Sequence, residues 1–213
     1  MNMSDRISAA FVAGSEAARP LVVPFITAGY PTITATTRIV TALVAAGSDM
    51  VEIGMPFSDP LADGPTIQHS SEVALRNGMT VRKTLEVVRE IRASGMDAAL
   101  ILMGYCNPVY AYGIDAFLKD AVQAGVDGLI IADMPPDEAD RFLTGCKASG
   151  VSLTFLVAPN APDDRVRKVD AASTHFSYCV TVTGVTGTRS AIEGRTVEFL
   201  QRMRELATKP FVV

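Results

Sequence analysis

The sequence has no tryptophan and only two histidines, and its three cysteines, Cys106, Cys146 and Cys179, lie far apart. An odd, widely spaced set of cysteines is poor material for a disulfide framework or a zinc site, so three reduced thiols are expected. His69 and His175 belong to no ligand-spaced set, which gives a metal centre no basis. No basic run occurs, and 19 Lys and Arg against 23 Asp and Glu leave a net charge of −4. That balance suits neither nucleic acid nor an anionic membrane surface. No apolar stretch reaches the roughly 20 residues needed to span a bilayer. The opening residues, MNMSDRISAAF, carry charge early and lack the apolar centre of a secretory leader. A cytoplasmic protein is expected. Aromatic residues make up only 7%, so the core must be built from Val, Ile, Leu, Ala and Met.

What is present is an alternation of two kinds of segment. Seven short apolar runs, at 21–28, 50–54, 98–105, 128–133, 152–158, 176–182 and 210–213, show little polar alternation. That is the pattern of parallel strands covered on both faces. Between them, 33–46, 81–93, 114–124, 137–149, 163–172 and 196–208 carry helical spacing. In 81–93 the residues Val81, Leu85, Val88 and Ile91 form one apolar stripe, with Arg82, Lys83, Glu86, Arg89 and Glu90 on the remaining surface. Gly47, Gly95, Gly125 and Gly150 follow helices, and an A-G-x-D turn recurs at 46–49 and 124–127.

Alternating strands and helices indicate an α/β protein with a parallel sheet. No G-x-G-x-x-G follows the first strand, which weakens a dinucleotide-binding fold. Proline and polar residues cluster just after the strands, where a (β/α)8 TIM barrel keeps its active site. Only seven strands can be counted, and a barrel needs eight. Either the fold is smaller, or the C-terminal part of a barrel, from the end of strand seven onward, is absent from this chain. The second reading is preferred, with 1–213 forming a single barrel domain truncated at its C-terminus.

The richest segment runs from Val51 to Gln68. Glu52 lies between Val51 and Ile53 in an apolar strand, and neighbouring strand residues face opposite ways. If Val51 and Ile53 pack on helices, Glu52 points into the barrel near its mouth. Burial there raises a carboxyl toward the range useful for proton transfer. The competing reading, an ion pair, finds no basic residue in any strand segment. The following loop holds Asp59 and Asp63 among Pro56, Pro60, Gly64 and Pro65. Asp59 reads as an ordinary surface-turn carboxylate. Phe25, Thr27 and Gly29 close the first strand, Tyr105 and Asn107 the third, Asp133 the fourth, and Tyr178 lies in the sixth. Such rims suit a flat apolar substrate with one polar handle, although Phe25 and Tyr178 fit ordinary barrel filling equally well. Thr183-Gly184-Val185-Thr186-Gly187 offers a lid or a phosphate cradle. No lysine stands at a strand end for Schiff-base chemistry, so bond cleavage here would run on carboxylates without a metal.

The runs P-F-I-T-A-G-Y-P (24–31), E-I-G-M-P-F-S-D-P-L-A-D-G-P-T-I-Q (52–68), M-G-Y-C-N-P-V (103–109), A-D-M-P (132–135) and T-G-V-T-G (183–187) resemble the tryptophan synthase alpha chain family, in family order and along nearly the whole chain. The resemblance implies a lyase that splits indole-3-glycerol phosphate into indole and glyceraldehyde 3-phosphate. It implies Glu52 as general acid–base and Asp63 as the holder of the indole N–H. Phe25, Tyr105, Asp133 and Tyr178 would line or support the indole pocket, and Gly187 would give a backbone donor to the phosphate. It further implies a pyridoxal-phosphate β subunit as partner in an α2β2 heterotetramer, with no cofactor in this chain. Segments 55–65 and 183–195 resemble the loops that close on substrate and contact that partner. The family completes its phosphate site with residues beyond this sequence, so a polypeptide ending at Val213 is expected to bind phosphate poorly. A stand-alone lyase and a catalytically weak binding module for the β subunit are the alternatives; intact Glu52 and Asp63 weigh against the second.

Overall fold

Each of the seven apolar segments contributes parallel strand in the computed structural model, which describes residues 5–180 and 194–213. The strands are β1 (Phe25–Thr27), β2 (Met50–Gly54), β3 (Ala99–Gly104), β4 (Gly128–Ile131), β5 (Ser152–Thr154), β6 (Leu156–Val157), β7 (Ser177–Cys179) and β8 (Phe211–Val212). They form two parallel sheets, ordered β1-β2-β3-β4-β5 and β6-β7-β8. β5 and β6 are one apolar segment interrupted at Phe155. The Phe155 N–H is taken by the Ser173 hydroxyl at 3.1 Å. Its carbonyl accepts the Tyr178 N–H at 3.0 Å, so the chain passes from one sheet to the next there.

The helices are α1 (Asp5–Glu16), α2 (Ala35–Ala45), α3 (Pro65–Arg76), α4 (Val81–Ala93), α5 (Cys106–Tyr112), α6 (Ile114–Ala124), α7 (Asp140–Ser149), α8 (Asp163–Ala172) and α9 (Gly194–Leu206). α1, α3 and α5 were not expected from hydrophobic period. The 137–149 segment divides into a short 3-10 turn at Pro136–Glu138 and α7. Asn107, expected to close the third strand, is instead an exposed residue of α5. α4 begins where Thr80 accepts the Lys83 N–H at 3.2 Å, a side-chain cap for an orphan donor. α6 ends on Gly125 at φ 86, a left-handed position that costs a glycine little.

Two apolar layers show that the strands curl about an axis. Val51, Ile53, Leu100, Leu102, Leu129, Ile131, Leu153 and Phe155 pack outward against helices. Met50, Ala99, Ile101, Ile130 and Phe176 pack together, with Val23, Met103, Leu156, Tyr178 and Val212 joining them. Residues from both flanks of the strand array meet in that second layer, as in the filled interior of a barrel. α1 closes its base: Ile7 is fully buried in that layer and the Phe11 ring meets the Phe176 ring at 5.6 Å.

The repeated A-G-x-D turn has one structural use. Asp49 accepts the Val22 N–H at 2.8 Å and pairs with Arg19. Asp127 accepts the Leu100 N–H at 2.7 Å and pairs with Arg92 and Arg6. Each aspartate fastens the start of the preceding strand, and Asp127 also ties α1 to the barrel base. The two differ in their partners, since Arg19 is 46% exposed whereas Arg6 and Arg92 are 20% and 13% exposed. Asp127→Ala therefore strands two arginines and should cost about 3–5 kcal/mol, whereas Asp49→Ala should cost about 1 kcal/mol or less. Urea unfolding of the two variants checks the contrast.

Candidate active site

Glu52 is the middle residue of β2, a strand buried along its whole length. Val51 and Ile53 belong to the outer layer, so alternation turns Glu52 inward as the sequence pattern predicts. It stands in register with Phe25 on one side and Ile101 on the other. It is 1% exposed, and its Oε1 has no hydrogen-bond partner among the described residues. Burial alone raises this carboxyl to about 7. The ion-pair reading of Glu52 finds no support there.

Tyr178, on β7, reaches the same interior layer. Burial first, and the Glu52 charge second, push its phenol upward. The two side chains are therefore electrostatic neighbours across the barrel.

A second group converges above them. Phe25, Thr27, Gly54, Asp63 and Tyr105 line a cavity of about 20 Å³, room for about one water. Gly54 matters here because a Cβ would stand 2.4 Å from the Phe25 Cζ. Asp63 is half-buried and desolvation raises its carboxyl, an effect the Tyr105 hydroxyl partly offsets by hydrogen bonding. That hydroxyl also accepts the Ala62 N–H at 3.1 Å. Glu52 does not line this cavity; it lies two residues back along β2 from Gly54, on the same strand face.

Asp59 is exposed and bonded to the Ser58 hydroxyl at 2.5 Å, a surface turn as expected. Asp133 is exposed and accepts the Cys106 N–H at 2.8 Å, so it supports the start of α5 and does not line the cavity. Gly187 and the rest of T-G-V-T-G lie outside the described residues. Sequence reasoning missed the buried Thr27–Ser70 hydroxyl pair at 2.6 Å, which pins α3 against β1. Its only trace is a small polar residue on a helix that periodicity did not disclose. Among the described residues no group of three or more His, Cys, Asp or Glu is placed to hold a metal ion.

The family model described as tryptophan synthase alpha chain matches residues 11–213. The chain is 44% identical over 207 residues to the tryptophan synthase alpha chain of Chlorobium limicola, covering 92% of this chain and 76% of that one. It is 43% identical to that of a Roseiflexus species, covering 98% and 80%. Among solved structures, a Mycobacterium tuberculosis tryptophan synthase superposes with a TM-score of 0.89 at 37% identity, covering 97% of this chain and 78% of that chain. One from the Pyrococcus furiosus tryptophan synthase α2β2 complex superposes with a TM-score of 0.84 at 36% identity, covering 90% and 76%.

The isolation of Glu52 has a thermodynamic signature. A carboxyl raised to about 7 in the folded chain binds its proton more tightly than in the unfolded chain. Its contribution is fully favourable below the unfolded value and is lost as pH rises through 7. Glu52→Gln should match the parent's stability near pH 4 and exceed it above pH 7, by about 3 kcal/mol at most. Urea midpoints across that range test this; a difference independent of pH would contradict it.

Proposed function

The chain belongs to the tryptophan synthase alpha chain family, and from that premise we propose that it cleaves indole-3-glycerol phosphate to indole and glyceraldehyde 3-phosphate by acid–base chemistry on two carboxylates. The observation that carries the mechanism is the solitary burial of Glu52, which keeps a proton available near neutral pH. Protonated Glu52 delivers that proton to ring carbon C3. The ring, now cationic at nitrogen, becomes an electron sink. The bond from C3 to the side chain breaks, and its electron pair restores the aromatic ring. The hydroxyl on the departing carbon becomes the aldehyde, and its proton returns to Glu52. No proton is gained or lost overall, and no metal or organic cofactor is required of this chain.

Asp63 takes the second role, accepting the ring N–H and stabilising the positive charge that develops there. Two carboxyls in different surroundings support this division, because only the deeper one lacks a donor. Phe25, Tyr105 and Tyr178 supply aromatic walls, Asp133 supports the loop, and Gly187 gives a backbone N–H to the phosphate. A cavity of about 20 Å³ must widen to admit a bicyclic ring.

The partner is a tryptophan synthase β chain, in an α2β2 assembly like that of the Pyrococcus furiosus relative. Pyridoxal phosphate belongs to that partner. Residues 1–213 belong to a single barrel domain, and its place is the cytoplasm. No helix among the described residues is long and apolar enough to cross a membrane.

Glu52→Gln should lower kcat by about 10²–10⁴-fold with KM little changed, and Asp63→Asn should lower kcat/KM strongly. Indole release from indole-3-glycerol phosphate, with and without a β chain, measures both. In the parent, kcat/KM should fall as pH rises through about 7, where Glu52 loses its proton. A Glu52→Gln variant within tenfold of the parent would remove Glu52 from the mechanism.

A further inference from the structure

Two neighbouring serines of α3, Ser70 and Ser71, are both buried, and their hydroxyls are used differently. Ser70 donates to the Ile67 carbonyl at 2.9 Å, a common resort of a serine inside a helix. A hydroxyl has one proton. With that proton given to Ile67, the 2.6 Å contact between Ser70 and Thr27 has a single polarity: Thr27 donates and Ser70 accepts. The Thr27 proton is thereby spent. Toward any other neighbour the Thr27 oxygen can only accept.

Ser71 has no such outlet. It is 4% exposed, and among the described residues no group is hydrogen-bonded to its hydroxyl. It lines the small cavity of the candidate site, whose other polar residues are Thr27, Asp63 and Tyr105. The Tyr105 hydroxyl already accepts the Ala62 N–H at 3.1 Å. The other three form a complementary set. Ser71 is a donor without a partner; the Thr27 oxygen and the Asp63 carboxylate are acceptors. The cavity measures about 20 Å³, which admits one water molecule, and a buried water is held by two to four polar partners.

We propose that this cavity is a hydration site, in which one water accepts from Ser71 and donates to Thr27 and Asp63, and that the substrate's ring N–H takes over the water's bond to Asp63. The second half rests on the lyase reading and deepens it; the first half stands apart from that reading. Water relieves the Ser71 hydroxyl, which is costly to leave unpaired in a buried wall. It also gives the Asp63 carboxylate a donor while no substrate is bound. The ring N–H offers the same kind of donor in its place, so the carboxylate is paired before and after binding. How firmly the water is held then sets how much of the ring's binding is offset by its release.

The first test is a crystal structure of the chain at a resolution that orders water, without ligand and soaked in indole. The ligand-free crystal should show one water within hydrogen-bond distance of Ser71 Oγ, Thr27 Oγ1 and an Asp63 carboxylate oxygen. With indole, the ring nitrogen should lie at Asp63 and that water should be gone. The second test is calorimetric titration of the parent and of Ser71→Ala with indole. Loss of the donor loosens the water, so Ser71→Ala should bind indole roughly 2- to 10-fold more tightly, the worth of one neutral hydrogen bond. A serine that only supports the fold, or one that bonds the ring directly, would give weaker binding on removal. If Ser71→Ala does not fold, the two crystals of the parent decide. A ligand-free cavity without the water, a water kept on Asp63 beside bound indole, or indole binding by Ser71→Ala that is unchanged or weaker would each overturn the proposal. Absence of indole release from indole-3-glycerol phosphate by the parent would overturn the lyase reading instead, and the hydration site would be judged by the ligand-free crystal alone.

Discussion

A carboxyl with no counter-charge, shut inside an apolar barrel, is the constraint around which the rest is arranged. Ionised in that position it would lack both water and a partner, and the free energy of that state is high. The proton is retained to near-neutral pH as a result. The same feature that makes Glu52 costly to the fold is what the proposed acid role requires. A nearby arginine would relieve the cost and hold the carboxyl ionised.

The scaffold keeps cations away from that point by placing them elsewhere. Arg6, Arg92 and Arg19 serve the barrel base, where Asp127 and Asp49 join the starts of neighbouring strands. Arg165 and Lys168 pair with Asp137 on the exterior. The interior layer between base and mouth is made of Met50, Ala99, Ile101, Ile130 and Phe176. Stability is thereby concentrated at one end of the strands and chemistry at the other. Along β2 a single alternation separates the two directions: Val51 and Ile53 hold helices, and Glu52 faces the interior.

Much of this was readable from local pattern. Continuous apolar runs marked every strand, and the alternation around Glu52 gave its direction. The stripe in 81–93 marked α4. Three helices escaped. α1 has its apolar residues on the barrel base, a partner no local window reveals. α3 starts at Pro65 directly after a loop of proline, glycine and aspartate, so its first turn reads as more loop; proline at a first helical position needs no N–H partner. α5 is only seven residues, with Pro108 in its first turn. The strand-end reading of Asn107 failed for that reason. Within the site, the inward acid was legible, and the Tyr105 hydroxyl on the Ala62 N–H was not. That contact joins residues more than 40 positions apart and depends on how β3 and the loop after β2 sit side by side. Tyr178 was legible only as an interior aromatic, because its nearness to Glu52 arises from the curling of the strand array.

The most direct test of the account is the titration of Glu52 itself, by carbon-13 NMR of the chain labelled at glutamate carboxyls, its resonance identified by its loss in Glu52→Gln. The account predicts a midpoint near pH 7, well above the roughly 4.3 of an ordinary glutamate. A Glu52 resonance already fully ionised at pH 5 would mean that water or a cation reaches the carboxyl, and would contradict the account at its base.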